Sequence, residues 1–478
     1  MIKLQDSKWT KLLENVGPNP LSSRKFWKKI NCIRNGKSSN QIPRLQQNGM
    51  DFNSDLDKAE LFKEILAKTF SGKNNESDYD NTFKKETELT ADAELNSIPQ
   101  QIITFNIHDI HAAIKKIPLN SAAGPDGIHN QMLKNLPRNF KYRILDMANL
   151  SMSKSQLAST WKIAHITMLP KTSINKNDPT NYRPISLISC LGKLIERLVQ
   201  TRLYNYLESN SLINFQQSGF RQKRRTSDNL VYISQKCQES FNRGWKVGAL
   251  FFDISKAFDE VWHKGLISKM IKKKIPSSYI HWVYSFLTSR TFHVKINQNI
   301  SSRGEILSGT SQGAIISPLL FNIFINDVPT ENTKHSSFSL IFADDLATCF
   351  QYKKQKIFQS KVTLYLKKVE KWTKKWRLKM NIKKSNYTIL CNGPNTNKSF
   401  KFTLFDKPLT HNPNPKFLGI TFDEQLSFNT QTKNVRTKCI SRLNLIKIIY
   451  HTSWKLSKKT LISVYRSLIG SVLDSVHL

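Results

Sequence analysis

Runs of hydrophobic residues predict several strands. The run VGALFF, residues 247–252, is apolar throughout and of strand length, as expected for a strand buried on both faces, and Asp253 follows it directly. The runs SLIF (339–342) and ATCF (347–350) predict the two strands of a hairpin, with FADDL at its tip. Farther along, KFTLF and KFLGITF are also predicted as strands.

Apolar residues at helical spacing predict amphipathic helices. These are LGKLIERLVQTRL (191–203), DNLVYISQKCQESF (228–241), ISPLLFNIFIN (316–326) and the segment 362–376. In the last segment lysines occupy the opposite face, and we expect Trp372 and Trp376 to lie in the core rather than to stack on bases. The remainder of the chain after KFLGITF, to Leu478, is predicted as basic helices.

Changes in charge divide the chain. The first 50 residues are basic and include RKFWKKINCIRNGK, whereas residues 51–100 are rich in acids. The polar stretch SGKNNESDYDNTFKKETELTADAE (71–94) is predicted as a linker, which places the main boundary near residue 95. Beyond it, Gly124 to Gly127 (GPDG) are predicted to form a tight turn that leads into a helix.

The composition describes a folded, strongly basic protein. Hydrophobic residues make up 39% and aromatic residues 10%, so the chain is able to form a core. Its formal net charge is +38, which favours a polyanionic partner, most simply nucleic acid. A basic protein that its charge merely keeps soluble is the alternative.

Other classes of protein fit less well. The six cysteines lie too far apart for a zinc knuckle or a dense disulfide framework, and we expect free thiols. His108 and His111 could share a helix face, yet with no third ligand nearby a surface helix is the better interpretation. The start of the chain lacks the apolar core of a signal peptide, and AIISPLLFNIFI is too short to cross a bilayer.

Three aspartates are candidates for metal chemistry. Asp344 and Asp345 are adjacent at the predicted hairpin tip, and Asp253 ends the predicted buried strand. Three such carboxylates would repel one another unless a divalent cation lay among them, and oxygen ligands without Cys or His suit Mg²⁺ or Mn²⁺. The alternative is a solvated hairpin turn and an unrelated helix-capping aspartate.

Three longer motifs carry a resemblance to a known family. FFDISKAFDEVWH (251–263), LSGTSQGAIISPLLFNIFINDVP (307–329) and FADDL (342–346) resemble three successive palm motifs of reverse transcriptases. More narrowly, most of residues 100–478 is similar to polymerases of non-long-terminal-repeat retrotransposons of the jockey-like LINE type. The supporting stretches are AAGPDGI, WKIAHITMLPK, NYRPISLISCLGKLIERLV, QSGFRQKRRTSDNL, KWRLKMNIKKS and PKFLGITFD.

The resemblance implies an α+β fold with the right-hand architecture of a polymerase. Residues 1–95 would form a mostly helical N-terminal extension or linker, similar to the segment that joins endonuclease and polymerase in such elements. Residues 96–400 would form the fingers and a palm with an antiparallel sheet. Residues 401–478 would form a primer-supporting hairpin and the start of a helical thumb.

It also implies the catalytic residues. Asp253 and Asp344 would bind two Mg²⁺ ions, with Mn²⁺ as a possible substitute, and Asp345 would assist at the same metal site. Lys384, in NIKKS, matches a lysine that would protonate the departing pyrophosphate. Taken alone, one lysine among many is more often a solvated surface group.

Further residues match nucleotide-binding positions of the family. Phe258 matches a steric gate that excludes a 2′-hydroxyl, although an ordinary core Phe is the alternative. Gln312 and Gly313 match a loop that contacts the incoming nucleotide and the template, where the Gly could also be a simple turn residue. The segment from Lys416 through Phe417 and Leu418 to Gly419 matches a hairpin that supports the primer and template.

Arg221 in GFR matches a position that approaches the triphosphate, a task suited to a guanidinium. The family pattern continues with any residue, then Gly, Arg, Ser and Thr. This chain has Lys223 in place of the Gly and Arg225 in place of the Ser. These departures put the local loop conformation in doubt while adding positive charge.

The expected function is therefore an RNA-directed DNA polymerase of a mobile element that acts in target-primed retrotransposition. Its partners would be an RNA template, a DNA primer and deoxynucleoside triphosphates, with no membrane, and the sequence leaves the oligomeric state open. We expect a ribonucleoprotein of the nucleus or cytoplasm, not a secreted protein. The alternatives are a catalytically inactive nucleic-acid-binding remnant and another palm polymerase, such as an intron maturase or an RNA-copying RNA polymerase; Phe258 and KFLGITFD disfavour the latter two.

Overall fold

The chain folds into a mixture of helices and sheets, which confirms the predicted α+β class. The computed structural model describes residues 42–72, 78–99, 101–171, 175–333, 336–393, 400–450 and 456–474. The α-helices are α1 (Asp55–Phe70), α2 (Asn81–Ser97), α3 (Ile107–Lys115), α4 (Asn130–Lys134), α5 (Arg138–Ser153), α6 (Cys190–Ser209), α7 (Thr226–Asn242), α8 (His263–Lys272), α9 (Ser277–Leu287), α10 (Ser317–Phe324), α11 (Gln355–Trp376), α12 (Asn429–Ile449), α13 (Lys458–Tyr465) and α14 (Ser471–Asp474). The strands are β1 (Leu45–Gln47), β2 (Met50–Phe52), β3 (Ile163–Pro170), β4 (Tyr182–Leu187), β5 (Lys246–Phe252), β6 (Ile254–Ser255), β7 (Arg290–Ile296), β8 (Asn299–Ile300), β9 (Gly304–Ile306), β10 (Asn332–Thr333), β11 (Ser337–Phe342), β12 (Asp345–Tyr352), β13 (Lys379–Met380), β14 (Asn386–Leu390), β15 (Thr403–Leu404), β16 (Lys407–Pro408), β17 (Thr410–His411), β18 (Lys416–Phe417) and β19 (Ile420–Thr421).

The main sheet has six strands in the order β10-β11-β12-β5-β14-β17. All its pairs are antiparallel except β14 with β17, which is parallel. Each residue of β5 after Lys246 is buried, as the continuous apolar run predicts for a strand covered on both faces. β12 runs back along β5 with Leu346 opposite Phe252. This register brings the start of β12 beside the end of β5.

The two faces of the main sheet contact different cores, because successive strand residues point to opposite sides. On one face Val247, Ala249 and Phe251 pack with the buried residues of α7. On the other face Leu250 and Phe252 pack with those of α11. The predicted helices α6, α7, α10 and α11 are therefore confirmed, and each places its apolar face in one of these cores.

Both tryptophans of α11 lie in the larger core. Trp372 is 7% exposed and Trp376 is 4% exposed, so the prediction of a core position is confirmed. Lysines occupy the solvent face of the same helix, as the sequence indicates. In this structure the two rings pack inside the protein and present no open face for a base.

A second sheet, in the order β4-β3-β7-β8 with β9 paired to β7, lies against α1. Two edge-to-face aromatic contacts fasten the helix to this sheet: Phe62 on Tyr182 at 5.1 Å and Phe70 on Phe292 at 5.5 Å between ring centroids. The predicted GPDG turn is confirmed, with the Gly127 N–H donating to the Gly124 carbonyl at 3.1 Å, and α4 follows it.

The linker predicted for residues 71–94 is wrong in its second half, which forms α2. The Asp80 side chain caps this helix by accepting from the Phe83 N–H. Only Thr87, Ala91 and Leu95 are buried, one per turn, so the apolar stripe is too narrow to stand out among acids. The division of the chain near residue 95 stays a prediction, and RKFWKKINCIRNGK lies outside the described residues.

The C-terminal part has short strands and basic helices, as predicted. β15 lies in KFTLF, and β18 and β19 lie in KFLGITF. Among the described cysteines, Cys190, Cys237, Cys349, Cys391 and Cys439 are free thiols. Within the residues that the structure describes, none of the helices combines the length and the apolar character that a bilayer span requires.

A tight contact in the larger core gives a test of the packing. A Cβ on Gly248 would lie 2.1 Å from the Phe358 ring, so we expect Gly248→Ala to lower the free energy of unfolding by about 1–3 kcal/mol through overpacking. Denaturant titration measures this loss. Gly470→Ala is the matched control, because its Cβ meets only the Arg466 Cβ at 4.0 Å. Equal stability of the Gly248 variant and the parent would contradict the packing described.

Candidate active site

The three predicted aspartates converge at one edge of the main sheet. Asp253 follows the last residue of β5, and the pairing of Phe342 with Asp345 closes a two-residue turn formed by Ala343 and Asp344. Because Leu346 pairs with Phe252, the turn lies beside Asp253. The sequence prediction that these carboxylates share one place is thus reproduced by the strand register.

Their proximity shows in the electrostatics. Burial, and then the charges of Asp344 and Asp253, raise the pKa of Asp345 to about 6. Burial also raises the pKa of Asp344; the Asp253 charge acts in the same direction, while Arg183 and Lys384 oppose it. Burial and the neighbouring carboxylates therefore both disfavour the charged forms of Asp344 and Asp345.

Lys384 lies beside Asp253, and its predicted catalytic role stays a prediction. Its Nζ is 3.7 Å from Asp253 Oδ2, and its side chain is 69% exposed. The turn that carries Lys384 forms hydrogen bonds with both backbone groups of Asp253. The Asn381 N–H donates to the Asp253 carbonyl at 2.8 Å, and the Asp253 N–H donates to Ser385 Oγ at 3.2 Å. The sequence analysis missed these two positioning residues, although they flank the lysines in NIKKS.

The chemistry of the donor set fits a hard divalent cation. Carboxylate oxygens converge here; burial, and to a lesser extent their mutual repulsion, raises two of their pKa values, and a bound cation would favour their charged forms. Across the described ranges, however, no three His, Cys, Asp or Glu side chains are grouped closely enough to bind a metal as they stand. The ammonium of Lys384 is the cation next to Asp253 in this state. Binding of metal by all three aspartates stays a prediction.

The Gln312–Gly313 loop is fastened to β4. The Ser186 N–H donates to the Gln312 carbonyl at 2.8 Å, and a Cβ on Gly313, whose φ is +129°, would lie 2.5 Å from the Ser186 carbonyl oxygen. Only glycine fits such a conformation and approach. The Gln312 amide donates to Asp259 Oδ1 at 2.8 Å. Burial raises the pKa of Asp259 to about 6, against the effect of that hydrogen bond.

Phe258 is half-buried between two other rings. It stacks on Phe321 at 4.6 Å between centroids and meets the edge of Phe220 at 6.1 Å. Its carbonyl accepts from the Thr310 N–H at 2.7 Å, which ties it to the loop before Gln312. The ring is therefore anchored by core contacts yet keeps part of its surface exposed.

Arg221 forms an ion pair with Glu208 in this structure. Its guanidinium donates to both carboxylate oxygens of Glu208, at 2.8 and 2.6 Å, and to the carbonyls of Asn214 and Gln217 at 3.1 Å. The side chain is only 10% exposed. Its predicted contact with a triphosphate stays a prediction.

The two departures from the family pattern lie at special backbone positions. Lys223 has a φ of 59°, in the left-handed region that glycine adopts most easily. Arg225 is the residue before α7, where a Ser side chain would act as a cap; here Asp228 accepts from the Arg225 N–H at 2.8 Å. Lys223 thus adopts the left-handed backbone conformation that the glycine of the family pattern would adopt more easily.

The sequence analysis missed several basic side chains that lie near Asp259, and one of them, Arg183, also lies near Asp344. Lys171 follows β3 and Arg183 lies in β4, and their charges, with that of Lys256, lower the pKa of Asp259. Burial lowers the pKa of Lys171, and the nearby charges of Lys384, Arg183 and Lys256 add to that effect. A signal existed in the sequence: LPK and NYR place a basic residue at the ends of two apolar strands.

The hairpin predicted to support the primer packs against β5, the strand that precedes Asp253. Leu418 and Gly419, with φ values of 48° and 91°, form the two-residue turn between β18 and β19. The ring of Phe417 lies 5.4 Å from that of Phe251, between centroids. Lys416 is exposed. Contact with a primer stays a prediction.

Carboxylates at the end of a central β-strand, surrounded by lysine and arginine side chains, are typical of enzymes that transfer nucleotidyl groups with metal ions. The profile of the family described as reverse transcriptase (RNA-dependent DNA polymerase) matches residues 174–422, just over half of the chain. The chain belongs to the reverse transcriptase family.

Curated relatives narrow the resemblance. The chain is 30% identical over 365 residues to the probable RNA-directed DNA polymerase from transposon BS of Drosophila melanogaster, covering 74% of this chain and 39% of the relative. It is 28% identical over 470 residues to the RNA-directed DNA polymerase from mobile element jockey of the same species, covering 96% and 50%. The chain therefore spans half or less of these relatives' length, and the predicted similarity to jockey-like elements is confirmed.

The raised pKa of Asp345 gives a pH-dependent prediction for metal-free protein. Because the pKa rises from 3.8 to about 6 on folding, the folded state binds the proton more tightly, and stability is lost as the pH rises through this range. Asp345→Asn, which cannot ionise, should therefore gain more stability over the parent at pH 7.5 than at pH 4.5.

Thermal unfolding in the presence of a chelator measures both differences. Asp146→Asn, on the exposed side of α5, is the control for loss of a carboxylate far from the site. An equal gain in thermal stability for Asp345→Asn at the two pH values would show that folding does not raise the pKa of Asp345.

Proposed function

We propose that this chain is an RNA-directed DNA polymerase of a mobile element, which adds deoxynucleotides to a DNA primer on an RNA template. The observation that carries the proposal is the register of β5 and β12, which brings Asp253 and the Asp344–Asp345 turn together. Membership of the reverse transcriptase family and the names of the relatives support it. Target-primed retrotransposition is the process in which such an activity would act.

The architecture we propose is that of a right hand. The main sheet with α7 and α11 would be the palm, the sheet containing β3 and β4 would belong to the fingers, and α12 to α14 would begin the thumb. In this division residues 1–95 form the extension or linker, 96–400 the fingers and palm, and 401–478 the hairpin and thumb.

Reverse transcriptase domains generally use divalent metal ions. Here Asp253 and Asp344 would bind two Mg²⁺ or Mn²⁺ ions with the help of Asp345. Bound ions would activate the primer hydroxyl and stabilise the leaving oxygen during in-line transfer. The aspartates contribute negative charge at the end of a buried strand, and the Asn381 N–H and the Ser385 side-chain oxygen fix the backbone of Asp253 by hydrogen bonds.

The surrounding cations have roles that follow from their positions. Lys384 is next to Asp253 and would release it to metal, then donate a proton to pyrophosphate. Lys171, Arg183 and Lys256 would neutralise the triphosphate, since their charges already act on the carboxylates nearby. Arg221 would reach the same phosphates only after leaving Glu208.

The remaining predicted residues would position substrates. Gln312 and Gly313 would present loop backbone to the nucleotide and template, since the loop is fixed to β4. The hairpin from Lys416 to Gly419 would support the primer end beside β5. The net charge of +38 favours an RNA–DNA hybrid bound mainly through phosphates, in a ribonucleoprotein of nucleus or cytoplasm.

Primer extension tests the activity. We expect purified chain with Mg²⁺, a primed RNA template and deoxynucleotides to extend the primer, and Asp344→Asn/Asp345→Asn to lose at least ~10²-fold in rate while still binding RNA. Filter binding measures the retained affinity. Failure of the parent to extend under several salt conditions, with RNA binding intact, would support an inactive remnant instead.

Sugar selection tests Phe258. Its stacking on Phe321 fixes the ring, so Phe258→Val should open space for a 2′-hydroxyl and lower discrimination against ribonucleotides by about 10- to 100-fold. Rates of single-nucleotide addition with matched deoxy- and ribonucleotides measure the ratio. Unchanged selectivity would assign the ring to the core alone.

A further inference from the structure

The side chain of Gln217 is buried beneath the turn that carries Asp344. It is 2% exposed and follows α6 in the loop that leads to Arg221. Its Oε1 accepts from the Ala343 N–H at 3.0 Å and from the Gly219 N–H at 2.7 Å, while its Nε2 donates to the Ala343 carbonyl at 3.4 Å. One amide therefore fixes both backbone groups of the residue before Asp344.

Backbone pairing fastens the same loop to β11. The Ser218 N–H donates to the Ile341 carbonyl at 2.8 Å, and the Ile341 N–H donates to the Gln216 carbonyl at 3.1 Å. Gln217 and Ile341 thereby form a parallel β-bridge. Gln217 is consequently held in register with the turn, independently of its own side chain.

The approach of the loop to the turn is unusually close. A Cβ on Gly219 would lie 2.2 Å from the Ala343 nitrogen, so no other residue fits there. Asn322, on α10, donates to the Gly219 carbonyl at 2.9 Å, and Asn229, on α7, donates to the Ile341 carbonyl at 3.3 Å. Buried amides from two helices thus keep loop and turn together.

The turn needs such support for two physical reasons. Ala343 has a φ of 56°, and a residue with a Cβ pays roughly 1 kcal/mol or more for the left-handed conformation. The adjacent carboxylates repel, which favours any rotation of the turn that separates Asp344 from Asp253. Bonds to both backbone groups of Ala343 oppose that rotation.

We propose that Gln217 is a positioning residue for the metal site: its amide fixes the Ala343–Asp344 peptide so that the Asp344 carboxylate faces Asp253. This inference rests on the proposed function, since it assigns to Gln217 the task of orienting a carboxylate that binds metal.

Mn²⁺ binding to the chain without nucleic acid tests the role, with free Mn²⁺ measured by electron paramagnetic resonance. Gln217→Met keeps the length of the side chain and removes its hydrogen bonds, and we expect the dissociation constant for Mn²⁺ to rise about 10- to 100-fold, as for other partners of metal ligands. Gln222→Met, exposed in the same loop, is the matched control and should bind Mn²⁺ like the parent.

A second experiment, in the Ala343→Gly variant, distinguishes a positioning role of Gln217 from a purely structural role. Ala343→Gly removes the cost of the left-handed φ, so Gln217→Met in this background should regain thermal stability but not Mn²⁺ affinity. Recovery of both would assign Gln217 a structural role only. Unchanged Mn²⁺ affinity in Gln217→Met would also overturn the inference while leaving the proposed function intact. If the Asp344→Asn variant binds Mn²⁺ as tightly as the parent does, the proposed metal site and this inference both fail.

Discussion

The pairing of β5 with β12 is the constraint on which the rest of this site depends. It is built from mostly apolar residues buried on both faces, and a one-residue slip would move the side chains of β12 from one core into the other, where they do not fit. The same register places Asp253 beside the Asp344–Asp345 turn. Hydrophobic packing thereby holds these carboxylates together, and burial, with their mutual repulsion added to it, raises the pKa values of Asp344 and Asp345.

The neighbouring elements can be understood as responses to that concentration of charge. The turn of Lys384 is bonded to the backbone of Asp253 and supplies an ammonium next to it. Arg183 contributes a further positive charge from the second sheet. Glycine also allows two close backbone approaches, of Gly219 to Ala343 and of Gly313 to Ser186.

The sequence predicted the parts of this fold that have a local pattern. The apolar run of β5, the hairpin around FADDL and the spacing of α6 and α11 are all readable because period and length alone specify them. The linker prediction failed at α2, whose buried stripe of Thr87, Ala91 and Leu95 is too narrow to register. Local sequence patterns could not predict which side chains contact one another. Nothing near Arg221 predicts its contact with Glu208, and nothing near Gln217 predicts its contact with Ala343. These contacts join segments that only the fold brings together.

A structure of the chain bound to a primed RNA template, an incoming nucleotide analogue and Mg²⁺ is the most direct test of the central claim, that the β5–β12 register builds a metal site. The account predicts that Asp253 and Asp344 would both hold divalent metal ions in this complex and that the Lys384 ammonium would move from Asp253 towards the phosphates. A complex in which Lys384 stays paired with Asp253 and no ion lies between the two aspartates would contradict it.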